Sequence, residues 1–275
     1  MKLSVIIPSI WRIERASALF ETVLRDMQRG DELLVATDRE GYKAFKKRFK
    51  TRKFKCYISE KVGYWRVMNE SLDRMKHKTF LWTADDINPH EGWMDIARSA
   101  FEAHFPEGLG IVSMNDLIVG DATCGHAIST RNFLYVMFGK PYFPEEFRHL
   151  FLDTMIADRA KTLKRFYYAY NAIAEHMHYS VGKSVKDALN HRNEGHNDKG
   201  VKDAMDQQWI HGEWQAAKAR LHEFGENLPD IQAENVPMEF RAQPVFIPKF
   251  STQQPGTKRH VQSVGQSKQS RGRKR

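Results

Sequence analysis

The chain has 275 residues, 41% hydrophobic and 28% charged, enough to bury one sizeable core plus a small appendage, so one catalytic-size domain is expected. The formal charge of +9 suggests a polyanionic partner, yet residues 251–275 hold Lys258, Arg259, Lys268, Arg271, Arg273, Lys274 and Arg275 and no acid, which leaves the body nearly balanced. Cys56 and Cys124 lack zinc or Cys-x-x-Cys spacing, the apolar run at Leu3–Pro8 is too short for a signal peptide, and nothing approaches the ~20 apolar residues of a spanning helix, so a soluble, cytoplasmic protein is expected.

Leu3 to Pro8 is continuously apolar, the pattern of a strand buried on both faces. Ala16 to Gln28 carries Leu19, Phe20, Val23, Leu24 and Met27 at helical spacing. Strands are then predicted at Glu32–Thr37, Phe54–Ser59 and Lys78–Thr83, with helices at Tyr42–Phe49 and Val62–Met75 between them. This alternation is that of a sheet with helical crossovers, and it predicts a Rossmann-like nucleotide-binding half. A helix at Trp93–His104 and a strand at Gly110–Met114 follow. Beyond residue 115 the pattern is mixed, with a helix at Leu150–Lys164, a strand-like run at Phe166–His178 and a helix over 201–224 anchored by Met205, Trp209 and Leu221. From about Asn227, Pro229, Pro237, Pro244, Pro248 and Pro255 recur among Gln and Ser; that composition buries too little apolar area to offset chain ordering, and a disordered tail is expected.

Ligands of such sheets sit beyond the carboxyl ends of the strands, where Ser9, Asp38 and Asp85-Asp86 fall. Two adjacent carboxylates leaving a buried strand repel one another unless a cation or polar ligand relieves them. A hard divalent ion would do so while bridging to diphosphate oxygens; a solvated acidic turn before Pro89 is the plainer alternative. His176 and His178, two apart in a strand-like run, would point to one face, and imidazole suits Mn²⁺. His126 and Arg131 are weaker candidates. Trp65, Trp82 and Trp93 read as core.

The order of these features resembles the family-2-like glycosyltransferases of the GT-A fold, over about residues 2–190. Pro8-Ser9 matches the family's turn after the first strand, with Arg12 as the nearby basic residue and Asp38 as the acid that meets the nucleotide base. Gly63, Arg66 and Asn69 match its helix after the third strand, and Asp85-Asp86, followed by Pro89 and Trp93, its metal motif. The resemblance implies an α/β fold of GT-A type: a Rossmann-like half within a mixed central sheet flanked by helices. It implies Mn²⁺ or Mg²⁺ at Asp86 with His176 or His178, Asp85 on the ribose or the metal, and Asp153 as general base of an inverting transfer. Two departures stand out: Ala84 occupies the place of a first acid, and Leu152 replaces the first acid of the pair that ends in Asp153.

The expected organisation is a GT-A domain over 1–225, with a nucleotide-sugar half (1–115), an acceptor and catalytic half (116–190) and a helical extension (191–225). The tail is 226–275. The implied donor is a UDP- or GDP-sugar; a glycan, a lipid-linked acceptor or a nucleic acid would receive the sugar, and the tail would offer polyanion contact. The alternatives are a non-catalytic nucleotide-sugar or nucleic-acid binder, and a sugar-1-phosphate nucleotidyltransferase. The last requires a glycine-rich loop after the first strand, where this chain reads Ser9-Ile10-Trp11-Arg12-Ile13.

Overall fold

The strand β1 (Leu3–Pro8) is buried along its whole length because both of its faces are covered. Leu3, Val5 and Ile7 pack with Leu19 and Phe20 of α1 (Ile13–Asp26) on one side of the sheet. Ile6 packs with Met68 and Leu72 of α3 (Tyr64–Arg74) on the other. Each such aliphatic side chain contributes about 1.5–3 kcal/mol by leaving water, and the alternation along a strand explains why one continuous apolar run serves two clusters. These elements belong to a computed structural model, in which the structure describes residues 1–10, 12–50, 54–186 and 196–225. The expected tail over 226–275 and residue 11 lie outside the described residues.

Parallel pairing joins β1 to β2 (Glu32–Thr37) and β4 (Thr79–Trp82), and β2 to β3 (Lys55–Ile58). The helix between β2 and β3, α2 (Arg39–Arg48), begins three residues earlier than the periodicity predicts, because Asp38 caps it by accepting from the Gly41 amide at 2.7 Å.

The remaining strands are β5 (Ile87–Pro89), β6 (Ile111–Asn115), β7 (Ala127–Thr130) and β8 (Phe166–His176). They complete a mixed eight-stranded sheet of order β3-β2-β1-β4-β7-β6-β8-β5. β7 runs antiparallel to β4 and β6, and β5 antiparallel to β8, while β6 and β8 are parallel. The expected α/β architecture, a Rossmann-like half within a mixed sheet flanked by helices, is present. Two strands and one helix escape the sequence patterns. β5 is three residues long and ends in Pro89, which a strand tolerates at a sheet edge, and β5 is the last strand in the order. β7 and α5 (Arg131–Phe138) lie in the stretch of mixed pattern after residue 115.

Helices α4 (Trp93–His104) and α6 (Leu152–Thr162) flank the sheet. The helix expected over 201–224 is two, α7 (Asp198–Gln208) and α8 (Trp214–Phe224), separated by a kinked turn over Trp209–Glu213 where Gly212 has φ of 146°. Trp209 and Leu221 are buried, and Met205 packs against the same cluster as α6. The Arg159 guanidinium of α6 lies 4.6 Å from the Trp209 ring and 4.9 Å from Phe138, and donates to the Met205 carbonyl at 3.2 Å, a cation–π clamp that fastens the C-terminal helices to the body. No described helix is long and apolar enough to cross a membrane.

Candidate functional site

The buried strand β4 delivers Asp85 and Asp86 to its carboxyl end, where both are at least nine-tenths buried. Their repulsion is relieved from the neighbouring strand end. Ser9, just past β1, donates its hydroxyl to Asp85 Oδ2 at 2.8 Å, and Arg12 Nη1 bridges the pair, 3.3 Å from Asp85 Oδ1 and 3.0 Å from Asp86 Oδ2. Burial, then the charge of Asp86, raise the pKa of Asp85 despite Arg12 and Ser9. At Asp86 burial pushes the same way, but the His176 imidazole, Arg12 and His126 outweigh it and hold the carboxyl below the usual range.

Strand register explains how His176 arrives. It pairs with Ile87 across β5–β8, and the Met177 amide donates to the Asp86 carbonyl at 2.8 Å, so the imidazole stands beside the Asp86 carboxylate. Nε2 lies 3.3 Å from Asp86 Oδ1, an oxygen that is buried yet accepts no well-directed hydrogen bond. Burial alone would lower the pKa of His176, but Asp86 reverses this and raises it. His178 lies past the end of β8; its Nδ1 contacts the Ser180 hydroxyl at 2.7 Å and accepts from the Ser180 amide at 3.3 Å, while its ring stays 5.1 Å from that of His176.

A hard cation fits the facing pair. Ligands at ~2.1 Å from an octahedral ion, at right angles, are roughly 3 Å apart, close to the 3.3 Å between Oδ1 and Nε2. Among the described residues no group of three or more His, Cys, Asp or Glu side chains is arranged to hold an ion. Such an ion would therefore draw its other ligands from substrate and water, the usual habit of Mg²⁺-type sites beside phosphates.

Asp153 comes from a different element, the first turn of α6. Burial raises its pKa, while the Thr154 and Asp153 amides at the helix start act against this. Asp153, the acid pair, His176 and His178 line one cavity of about 580 Å³ together with Pro8, Ser9, Arg12, Asp38 and Gly63. Gly63 has φ of 107°, and a Cβ there would meet the Arg148 carbonyl oxygen at 3.0 Å, so both the conformation and the close approach require glycine.

The sheet order, with its antiparallel β7 between two parallel segments, and the strand-end acids can be set against solved structures. A mannosyltransferase from Pyrobaculum calidifontis, solved with GDP-Man and Mn²⁺, superposes with a TM-score of 0.51 at 13% identity, over 83% of this chain and 77% of that one. The fold is the GT-A fold. TarS of S. aureus superposes with a TM-score of 0.50 at 15% identity, over 64% of this chain. This chain spans 37% of that structure, and 58% of a shorter structure of the same protein. No protein-family model and no curated protein matches the sequence.

Within this GT-A fold, two residues expected at the nucleotide stand elsewhere. Arg66 and Asn69 are not among the cavity-lining residues. Arg66 Nε donates to the Glu145 carbonyl at 2.9 Å, and the Asn69 amide both donates to the Phe143 carbonyl at 2.8 Å and accepts from the Phe143 amide at 2.9 Å. Both therefore latch the segment before α6. Of the weaker candidates, His126 is buried against the cavity, its Nδ1 2.9 Å from the Thr83 hydroxyl. Burial and then His176 lower its pKa to about 4. Arg131 donates to the Leu72 carbonyl instead. The three tryptophans are core, and Trp65 also donates to the His149 carbonyl at 3.0 Å.

Asp116, Arg148, His149 and His196 line the cavity without having been singled out from sequence. Asp116 closes β6 as Asp85 closes β4, so an acid at the end of the fifth predicted strand was a usable signal. Its Oδ1 accepts from the Ile118 and Val119 amides at 2.9 and 3.0 Å, and its carbonyl accepts from the His176 amide at 3.0 Å. His149 has no such signal; burial lowers its pKa to about 4 against the opposing pull of Asp86, leaving a neutral imidazole.

Proposed function

We propose that this chain transfers a sugar from a UDP- or GDP-sugar to an acceptor hydroxyl with inversion at the anomeric carbon, using Mn²⁺ or Mg²⁺. The observation that carries the reading is one cavity holding two chemically different acidic stations, Asp85-Asp86 at a strand end and Asp153 at a helix start. The likeness in fold to a mannosyltransferase solved with GDP-Man and Mn²⁺ supports the donor class and the ion.

In this reading Asp38, Pro8-Ser9, Arg12 and Gly63 hold the nucleotide, and Asp85, already engaged by Ser9 and Arg12, faces the ribose. Asp86 and His176 would hold the divalent ion, with His178 close by, and the ion when bound would supply positive charge to offset the negative charge developing on the departing diphosphate. Asp153 takes the acceptor proton as the hydroxyl oxygen attacks; its raised pKa strengthens it as a base near neutral pH. Residues 1–225 form the catalytic unit, 1–115 gripping the donor and 116–190 meeting the acceptor.

A thermal-shift panel of nucleoside diphosphate sugars, with and without Mn²⁺, tests this directly. One donor class should raise the melting temperature, and more so with the ion, since a ligand that binds only the folded state stabilises it by mass action. No shift with any UDP- or GDP-sugar would sink the reading.

A further inference from the structure

The loop before α6 carries three consecutive backbone amides, those of Arg148, His149 and Leu150, that all point at one carboxylate. Asp198 Oδ1 accepts from Arg148 at 3.2 Å, and Oδ2 from His149 and Leu150 at 2.9 and 2.8 Å. Successive amides converging in this way form an anion-binding concavity, and bonds to an ionised acceptor are about twice as strong as neutral ones. The side chain that fills it is 2% exposed and comes from the first turn of α7, about 50 residues further along the chain.

What the loop does next gives the carboxylate its reach. Arg148, His149 and Leu150 line the cavity. The carbonyls of Arg148 and His149 face the other way, the Tyr64 amide donating to Arg148 at 2.8 Å and the Trp65 indole to His149 at 3.0 Å. The loop is thus held from two sides, by α3 through its carbonyls and by Asp198 through its amides. Immediately afterwards Phe151 turns the chain through a left-handed conformation, φ 66°, into α6, and Asp153 follows two residues later.

We propose that Asp198 is a positioning residue for the transfer: by holding the amides of residues 148–150 it sets the cavity wall and the entry angle of α6, and thereby the place of Asp153. The inference rests on the function proposed above. It makes the helices after residue 196 part of the active-site architecture rather than an appendage. An uncharged amide at 198 keeps the volume but turns one N–H donor toward the loop's own donors, leaving half-buried amides without acceptors, and a shift of about 1 Å in a reacting group can cost about 10²-fold in rate.

The test compares wild type with Asp198→Asn in the full chain. Hydrogen exchange of the His149 and Leu150 amides, protected in wild type, should accelerate in the variant whatever the chain's activity. Under saturating donor, kcat should fall by on the order of 10- to 100-fold, with the Kd for the nucleoside diphosphate within about threefold of wild type, and Asp198→Glu should recover part of the lost rate. A kcat per folded molecule equal to wild type would overturn the inference, as would unchanged exchange at those amides. If Asn at 198 prevents folding, Asp198→Ser, which also removes the carboxylate, becomes the deciding variant, and a kcat per folded molecule equal to wild type there overturns the inference. Wild type that binds no nucleotide sugar would instead strike the proposed function, and the exchange measurement would still judge the placement of Asp198.

Discussion

Ser9, Asp38 and the Asp85-Asp86 pair reach the cavity from the ends of parallel strands, whereas Arg148 and His149 reach it from a loop tied down by side chains distant in sequence, and Asp153 from the helix that this loop leads into. On the first wall each site residue is placed by its own strand, four to six residues long, and the register of β1 with β2 and β4 brings the strand ends together. On the second wall Asn69 grips Phe143, Trp65 grips His149 and Asp198 grips residues 148–150. The first arrangement depends on local pattern and sheet geometry; the second exists only once the chain has closed on itself.

The sharpest way to break this contrast is at Asp153. Asp153→Asn should lower kcat by about 10²–10⁴-fold while leaving nucleotide affinity intact, because the residues proposed to grip the donor stand on the other wall; a parallel loss of UDP or GDP binding by calorimetry would show that the walls are not separable. Asp86→Ala should act in the opposite sense. It removes the carboxylate that faces His176, and under the proposed function Mn²⁺-dependent nucleotide affinity should drop by roughly tenfold or more with the fold retained; an unchanged affinity would remove Asp86 from the proposed ion site.

Asn69→Ala sharpens the distinction between gripping the donor and gripping the loop. With the Phe143 amide and carbonyl left unpaired, stability should fall by about 1–3 kcal/mol in denaturant titrations and the nucleotide Kd should stay put. A specific loss of nucleotide binding would return Asn69 to the donor site. The smallest effect expected is in the pH profile. Burial raises the pKa of Asp153, and a base works only when ionised, so activity should be lost as pH falls through that raised value, with the acid limb lying above the ordinary ~3.9 of an aspartate. A limb at or below the ordinary value would contradict Asp153 as base. Asp85 is raised as well, and the limb should persist in Asp85→Asn.

The same contrast explains what the sequence made legible. Continuous apolar runs announced β1, β2 and β4, and acids or a serine just past them marked one wall. Asp116 obeyed the same rule and could have been read from it. Strand β5 was hidden by its brevity and its proline, and α5 with β7 by a stretch without clean periodicity. Arg66 and Asn69 had suitable chemistry in a suitable helix, but α3 turns them toward the 143–145 segment, and only the three-dimensional packing reveals which side of the helix meets the cavity. Asp198 had no local mark at all, being one acid at the start of a polar helix whose partners are backbone amides about 50 residues earlier.

Gly63 carries a consequence for how such a molecule can change. A Cβ at Gly63 would stand 3.0 Å from the Arg148 carbonyl oxygen, so the spacing of α3 and the loop before α6 is gauged by main chain against main chain. Any side chain at that position would have to push the loop back while holding a backbone φ of 107°. Under the proposed function, a change of donor or acceptor would fall to lining side chains away from this contact, such as Ile118 and Val119.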